Sequence, residues 1–472
     1  MSQTARANST GIAWPMTVLT MLFFMWGFMT VMNDVLVPYW KKEFVLSYAE
    51  SLSVQWCFFG AYFLGSLVYW ILSTLGHDPI NRIGYKRGAM FGLVVAAVGC
   101  AMFVAASWSH MYWAFLSALF VLGLGFTLLQ IAANPFVAII GDPDRASSRL
   151  NLAQAFNSLG TTLAPLIGGW LLFDHIGNTT ALGRPYFVYA CVFIILALIL
   201  WITRLPEPPT LPSARGHRAW RHPQLRFGML AIFCYVGAEV AIGSLFINFL
   251  HLPEVFGMAE SQAKYYLSLY WGGAMCGRFL GALAMSGKYE ASGRALIIGV
   301  LALALFGLLW CIQSISGGLD FAHLWPMLIL ILVNAIAFLW LGRSSSLSLG
   351  AFAVIAASLC AAVLVLPPAW ALWAMVAIGL FNSVMWGNIF TLAIDGLGAD
   401  TSQGSSMLVM MIVGGAMIPK LQGLMADSVL GLSYSYILPL ICYAYLAWYG
   451  FISSSYSSAF TFDPITGQYE RK

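Results

Sequence analysis

Charge is scarce in this chain: Asp, Glu, Lys and Arg make up 8% of its 472 residues. A water-soluble domain carries about 25%, so that class is excluded, because too few ionised groups are present to solvate a globular surface. Paired cysteine chemistry is missing as well. The eight cysteines stand singly, mostly inside apolar runs and with no C-x-x-C spacing, which argues against disulfides and metal ligands. Nor is there an H-E-x-x-H, a Gly-x-Ser-x-Gly or a pair of catalytic carboxylates on one helix, so the chain does not read as an enzyme. Neither a cofactor nor a nucleic-acid partner is expected. What is abundant is apolar surface: 60% hydrophobic and 15% aromatic residues, with a mean hydropathy of +0.83. Lipid must cover most of it.

A membrane-spanning helix needs about 20 mostly apolar residues. Runs of that kind fall near 15–38, 52–75, 88–107, 111–140, 150–173 and 186–204, and again near 227–250, 262–286, 294–316, 323–342, 348–366, 368–394, 403–426 and 430–455. The first is too long for a signal peptide and lacks a small-residue cleavage site, so it reads as an uncleaved span. Fourteen spans are expected, those at 323–342 and 348–366 being the least separable. The Pro-, Arg- and His-rich stretch 205–225 reads as a linker between a six-helix bundle at 1–204 and a second bundle at 226–455, with a tail at 456–472. With the N-terminus inside, sixteen loop Lys and Arg lie on the inner side, against Lys41, Lys42, Arg184 and Lys264 outside. Both termini and the linker are therefore expected in the cytoplasm.

The halves repeat. Gly60-x4-Gly65 returns as Gly272-x4-Gly277, 212 residues on, and Gly160-x4-Pro165-x3-Gly169 returns as Gly414-x4-Pro419-x3-Gly423, 254 residues on. Asn134 and Asn388 head similar stretches at the same 254 offset. The 42-residue difference is roughly two spans with short loops, so an extra helical hairpin is expected in the second half, within about 287–367. The expected fold is all-α: two six-helix bundles related by a pseudo-twofold repeat, plus this hairpin. Repeats of this size are how the halves of many secondary transporters are built.

Two acids lie deep in apolar runs, and both are candidate ion-coupling residues: Asp34, in Phe23–Pro38, and Glu239, in FCYVGAEVAIGSLF. A charge there costs about 3 kcal/mol or more, so it needs a partner, a water-filled cavity or a function. Asp34 reads either as a permanently paired carboxylate or as a group that binds a coupling ion, and H⁺ and Na⁺ remain equal alternatives. Asn33 accompanies it. Gln130 and Asn134 share one helix face, as do Asn151, Gln154 and Asn157. The second half adds Asn248, Asn382, Trp386 and Asn388. Amides donate and accept, which suits hydroxyl-bearing ligands, and Trp386 suits the face of a sugar ring. The competing readings are helix-to-helix glue for the amides and interfacial anchoring for the tryptophan. Arg278 reads as snorkelling or as the partner of an acid. Lys420 has no evident role. The turn Gly76–Arg87 offers Asp78, Arg82, Lys86 and Arg87 as a latch between helix ends, or simply as positive-inside anchors.

The Gly-Tyr-Lys-Arg spacing of that turn resembles the loop between the second and third helices of major facilitator transporters. Trp26-Gly27, Asn33-Asp34-x-Leu36-x-Pro38, Gln130-x-Ala-Ala-Asn-Pro-Phe, Arg149-Leu-Asn-Leu-Ala-Gln-Ala-Phe-Asn, Tyr235-Val-Gly-Ala-Glu and Gly414-Gly-Ala-x-Ile-Pro resemble the fucose–galactose–glucose symporter family of that superfamily. The resemblance implies a cation-driven sugar importer, monomeric and multi-pass, in a bacterial inner membrane. It implies ion coupling at Asp34 and sugar binding at the Gln130 position, where fucose/proton members carry a glutamate. Gln130 together with Glu239 is similar to the glucose/galactose and N-acetylglucosamine branch. Met385-Trp-Gly-Asn-Ile-Phe390 departs from the family's usual Met-Phe-Pro-Thr-Ile-Phe, and the extra hairpin departs from its twelve-helix plan. The alternatives are a sugar or drug exporter of the same superfamily and a non-transporting membrane sugar sensor.

Overall fold

In a computed structural model the described residues are 10–75, 79–140, 146–175, 182–205, 219–284, 291–341, 344–395, 397, 401–463 and 468–471. Asp78 and most of the linker lie outside them. Helices occupy all fourteen predicted positions. The first half holds α1 (Thr10–Glu43), α2 (Ser53–Thr74), α3 (Tyr85–Ser109), α4 (Tyr112–Ile139), α5 (Ala146–Gly169, continued by a π turn Trp170–His175) and α6 (Gly183–Ile202). The second half holds α7 (Pro223–His251), α8 (Glu260–Ala284), α9 (Ala291–Ile315), α10 (Phe321–Leu341) and α11 (Ser345–Val365). Next come α12, in two segments (Pro368–Asn382 and Met385–Ile394), α13 (Thr401–Met410 and Gly414–Ala426 around a 3-10 turn) and α14 (Ile437–Ala459). A small antiparallel hairpin, β1 (Phe460–Asp463) with β2 (Gln468–Arg471), follows.

Twelve of these helices are long and apolar enough to cross a membrane. Of the expected fourteen spans, α5 and α8 are the two that fall outside that class, and both are long helices diluted by polar residues: Gln154 and Asn157 on α5, Lys264 and Arg278 on α8. Those residues face protein more than lipid. Lys264 is buried and Arg278 is nearly so.

Matching helix pairs pack in the two halves. The contacts α1–α5, α2–α4, α3–α4 and α3–α6 recur as α7–α13, α8–α12, α11–α12 and α11–α14. Thus α11 takes the place of α3, while α9 and α10 pack on each other and against α8 as the pair without a counterpart. The repeated glycines have a steric cause. A Cβ on Gly160 would lie 2.2 Å from the Phe24 carbonyl of α1, and one on Gly414 would lie 2.0 Å from the Phe233 carbonyl of α7. In each half the same crossing brings backbone to backbone, which glycine permits.

The two bundles meet along α1–α7, α5–α8 and α2–α13. At the end bearing residues 44–47, a one-turn helix Tyr48–Ser51 precedes α2. Ser47 caps it through the Glu50 N–H (3.1 Å), and Glu50 reciprocates to the Ser47 N–H (2.9 Å). The other bundle caps the same turn. The Asp427 carboxylate accepts from the Tyr48 and Ala49 N–H groups at 2.8 and 2.7 Å. Lys420, whose role the sequence left open, donates to the Ala49 carbonyl and to Ser53 Oγ (3.1 Å). A carboxylate at a helix start and an ammonium on a carbonyl are the favourable placements for each charge. This face of the molecule is closed.

Candidate functional site: two carboxylates at the bundle interface

Asp34 lies on α1, 3% exposed, where the two bundles meet. Its Oδ1 accepts from Gln55 Nε2 of α2 (2.9 Å) and from Ser244 Oγ of α7 (3.0 Å); its Oδ2 accepts from Trp271 Nε1 of α8 (3.1 Å). Gln55 Nε2 also donates to Ser244 Oγ at 2.8 Å. No Lys, Arg or His is among these partners. An ionised carboxylate accepts only, so three converging donors offset the desolvation of a charge that apolar packing alone would not tolerate.

Glu239 forms the second cluster, one helix turn beyond Tyr235 on α7. Its Oε1 accepts from the Tyr235 hydroxyl (2.8 Å) and lies 3.9 Å from Arg278 Nη2 on α8. The sharper of the two readings of Arg278, pairing with an acid, is the one the structure shows. Arg278 also crosses the interface, donating to Ser158 Oγ of α5 (2.5 Å), and reaches the Ser383 carbonyl at 3.3 Å. That carbonyl sits at the interruption between the two segments of α12. Tyr270 links the clusters to α12: its hydroxyl donates to the Glu239 carbonyl (3.1 Å) and accepts from Asn382 Nδ2 (3.1 Å).

The remaining candidates are placed as follows. Asn33 is buried beside Asp34 with neither side-chain polar atom hydrogen-bonded. The same holds for Gln130 Oε1, Asn134 Oδ1, Asn248 Nδ2, Asn382 Oδ1 and Asn388 Nδ2. Asn134 Nδ2 donates to the Gln130 carbonyl (3.2 Å). Asn157 Nδ2 donates to the Phe23 carbonyl of α1 (3.0 Å), which is the gluing use of an amide. Gln154 is half-buried, and Trp386 stacks on Phe390 with centroids 6.2 Å apart. Arg82 and Arg87 are exposed, and Lys86 donates to the Trp201 carbonyl at the end of α6 (2.8 Å). Asp78 lies outside the described residues.

Sequence reasoning missed Gln55, Ser158, Ser244, Tyr270, Trp271 and Ser383. Gln55 carried a signal, being an amide inside the apolar run of the second span. Ser244 and Trp271 carried none, since both residue types are ordinary in such helices.

Two bundles of matching packing, with buried acids where they meet, define a membrane transporter architecture. The sequence model of the Major Facilitator Superfamily matches residues 17–341, and the chain belongs to that superfamily. It is 40% identical over 463 residues to a glucose/galactose transporter of Brucella abortus, covering 96% of this chain and 97% of that one. It is 27% identical to the L-fucose-proton symporter of Escherichia coli, covering 91% of each chain. A crystal structure of the E. coli fucose:proton symporter FucP superimposes with a TM-score of 0.65 at 25% identity, covering 93% of this chain and 98% of that one. Within the superfamily the fucose–galactose–glucose symporter family is where this chain falls, and it is not an enzyme.

Proposed function

We propose that the chain imports a monosaccharide of the glucose/galactose, N-acetylglucosamine or fucose type by cation symport, through alternating access. The observation that carries the reading is Asp34: a sealed carboxylate whose hydrogen bonds run to neutral donors on both bundles. An acid held by neutral donors is free to take a cation, whereas one paired to a base is not. Its bonds to α7 and α8 exist only while the bundles are closed at this face, so ion occupancy and conformation are linked by the same contacts. The sugar class rests on the relatives' names and on the buried amide atoms of Asn33, Gln130, Asn134, Asn248, Asn382 and Asn388, which have hydrogen-bonding capacity to spare for hydroxyl groups.

Topology follows from the loop charges. The closed face, with residues 44–47 and Asp427, is the outer one, both termini are cytoplasmic, and the membrane is a bacterial inner membrane. The structure is then the state closed to the outside. The chain works as a monomer, with a sugar and H⁺ or Na⁺ as its cargo.

The test is uptake of labelled glucose, galactose, fucose and N-acetylglucosamine into vesicles, with and without Na⁺ at fixed pH, for the wild type and Asp34→Asn. The wild type concentrates one of these sugars with one of the two cations, and Asp34→Asn exchanges sugar without concentrating it. Accumulation undiminished in Asp34→Asn overturns the coupling role.

A further inference from the structure

Ser244 and Trp271 come from the bundle opposite Asp34, and neither is titratable. An indole N–H is a donor with no accepting capacity, so Trp271 can satisfy itself only on a lone pair of Asp34 Oδ2. Gly243 brings α7 against the same oxygen: a Cβ built there would lie 2.8 Å from Oδ2 and 3.2 Å from Trp271 Cζ2. A side chain at 243 would crowd both the carboxylate and the indole, so glycine is what lets α7 approach this closely. Glu239 of α7, which is itself paired with Arg278, and Tyr270 of α8 are the titratable groups in electrostatic reach.

We propose that Trp271, assisted by Ser244, is the positioning residue through which the second bundle senses whether Asp34 carries its cation. This rests on the symport reading above. With Asp34 free, all three donors are satisfied and the outer face closes. A proton neutralises the carboxylate and turns one lone pair into an O–H donor, and Na⁺ occupies a lone pair outright. In either case closure leaves three donors, Trp271 among them, on fewer and weaker acceptor sites, so the loaded carrier favours the open outer face until sugar contacts offset the loss. Passage of the cation alone is then disfavoured by about the factor that one charge-assisted hydrogen bond supplies, which slows the leak that would dissipate the gradient.

The test uses full-length protein with native cysteines replaced by serine and a reporter, Leu52→Cys. Leu52 is fully buried and packs on α13 at Gly423. Its labelling by a membrane-impermeant maleimide, normalised to Val45→Cys in the exposed loop, reads opening of the outer face. In sugar-free medium the coupling cation should raise wild-type labelling about tenfold, the scale of one charge-assisted hydrogen bond. Trp271→Phe keeps an aromatic ring, though a smaller one, and loses the N–H, so its response should fall below about twofold. Sugar-independent cation entry should appear, accumulation should drop, and counterflow exchange should persist. Ser244→Ala should shift labelling in the same direction by less, and it carries the test if Trp271→Phe folds poorly. A wild-type cation response in both variants overturns the inference. If Asp34→Asn still concentrates sugar, it is the symport reading that fails; if Asp34→Asn loses accumulation while Trp271→Phe behaves as wild type, only the sensing role fails.

Discussion

Replacing Arg278 by methionine tests how the second cluster is held. The change removes the cation 3.9 Å from Glu239 and the bond to Ser158 while keeping most of the side-chain volume. At that separation the Coulomb attraction is about 4 kcal/mol with an effective dielectric constant of about 20. Breaking a buried pair by removing one partner costs about 3–5 kcal/mol, because the survivor stays buried and uncompensated. Glu239 would keep the Tyr235 hydroxyl, which replaces only part of the loss. Adding Glu239→Gln to Arg278→Met removes the stranded charge and retains an acceptor for Tyr235. The double variant should therefore be more stable than Arg278→Met alone, recovering about half the loss or more. The assay is apparent thermal midpoint in detergent at constant scan rate, where Arg278→Met should fall by roughly 3–5 °C. A double variant no more stable than Arg278→Met would show that the ion pair is not what holds this cluster together.

Three further outcomes are expected. Asp427→Ala removes the acceptor of two N–H groups at a helix start, a loss of about 1–2 kcal/mol; labelling of Leu52→Cys should rise several-fold with or without the coupling cation. Constant labelling would mean that this contact does not hold the two bundles shut at this face. Gly160→Leu should abolish folded protein, since α1 backbone stands 2.2 Å from its Cβ, whereas Gly299→Leu on α9, with nothing within 4 Å, should express normally; equal yields would refute the crossing argument. Gln130→Ala should weaken sugar binding more than Asn157→Ala, because the Gln130 side-chain oxygen is uncommitted and the Asn157 amide is spent on Phe23; titration calorimetry decides, and equal losses would return both to one role.

The helices were legible because apolar runs of membrane length have few other uses, and the twofold plan was legible through the shared 254-residue offset of its glycines. The backbone contacts at Gly160 and Gly414 explain why that offset is kept. Two things resisted reading. Hydropathy could not say which pair of second-half helices is the added one, since α9, α10 and α11 are alike in composition, and only packing gives α11 the role of α3. The site was half visible. A buried acid announces itself by its cost, so Asp34 and Glu239 stood out, as did Arg278. Their partners are Ser, Trp, Tyr and a broken-helix carbonyl, residues and groups that membrane helices use everywhere. Their meaning comes from position across the interface, which lies more than 200 residues away along the chain.

Trp271 and Arg278 stand two turns apart on α8, about 10 Å along its axis. One rod thus carries a tooth into each polar cluster, and tilting it enough to withdraw one must strain the other. The additional hairpin lies along the far flank of this rod: Leu309 packs at Gly272, Phe338 at Gly281, and Tyr265 bonds the Ser316 carbonyl at 3.1 Å. Backed by the hairpin in this way, α8 is a single packed element that carries partners of both carboxylates.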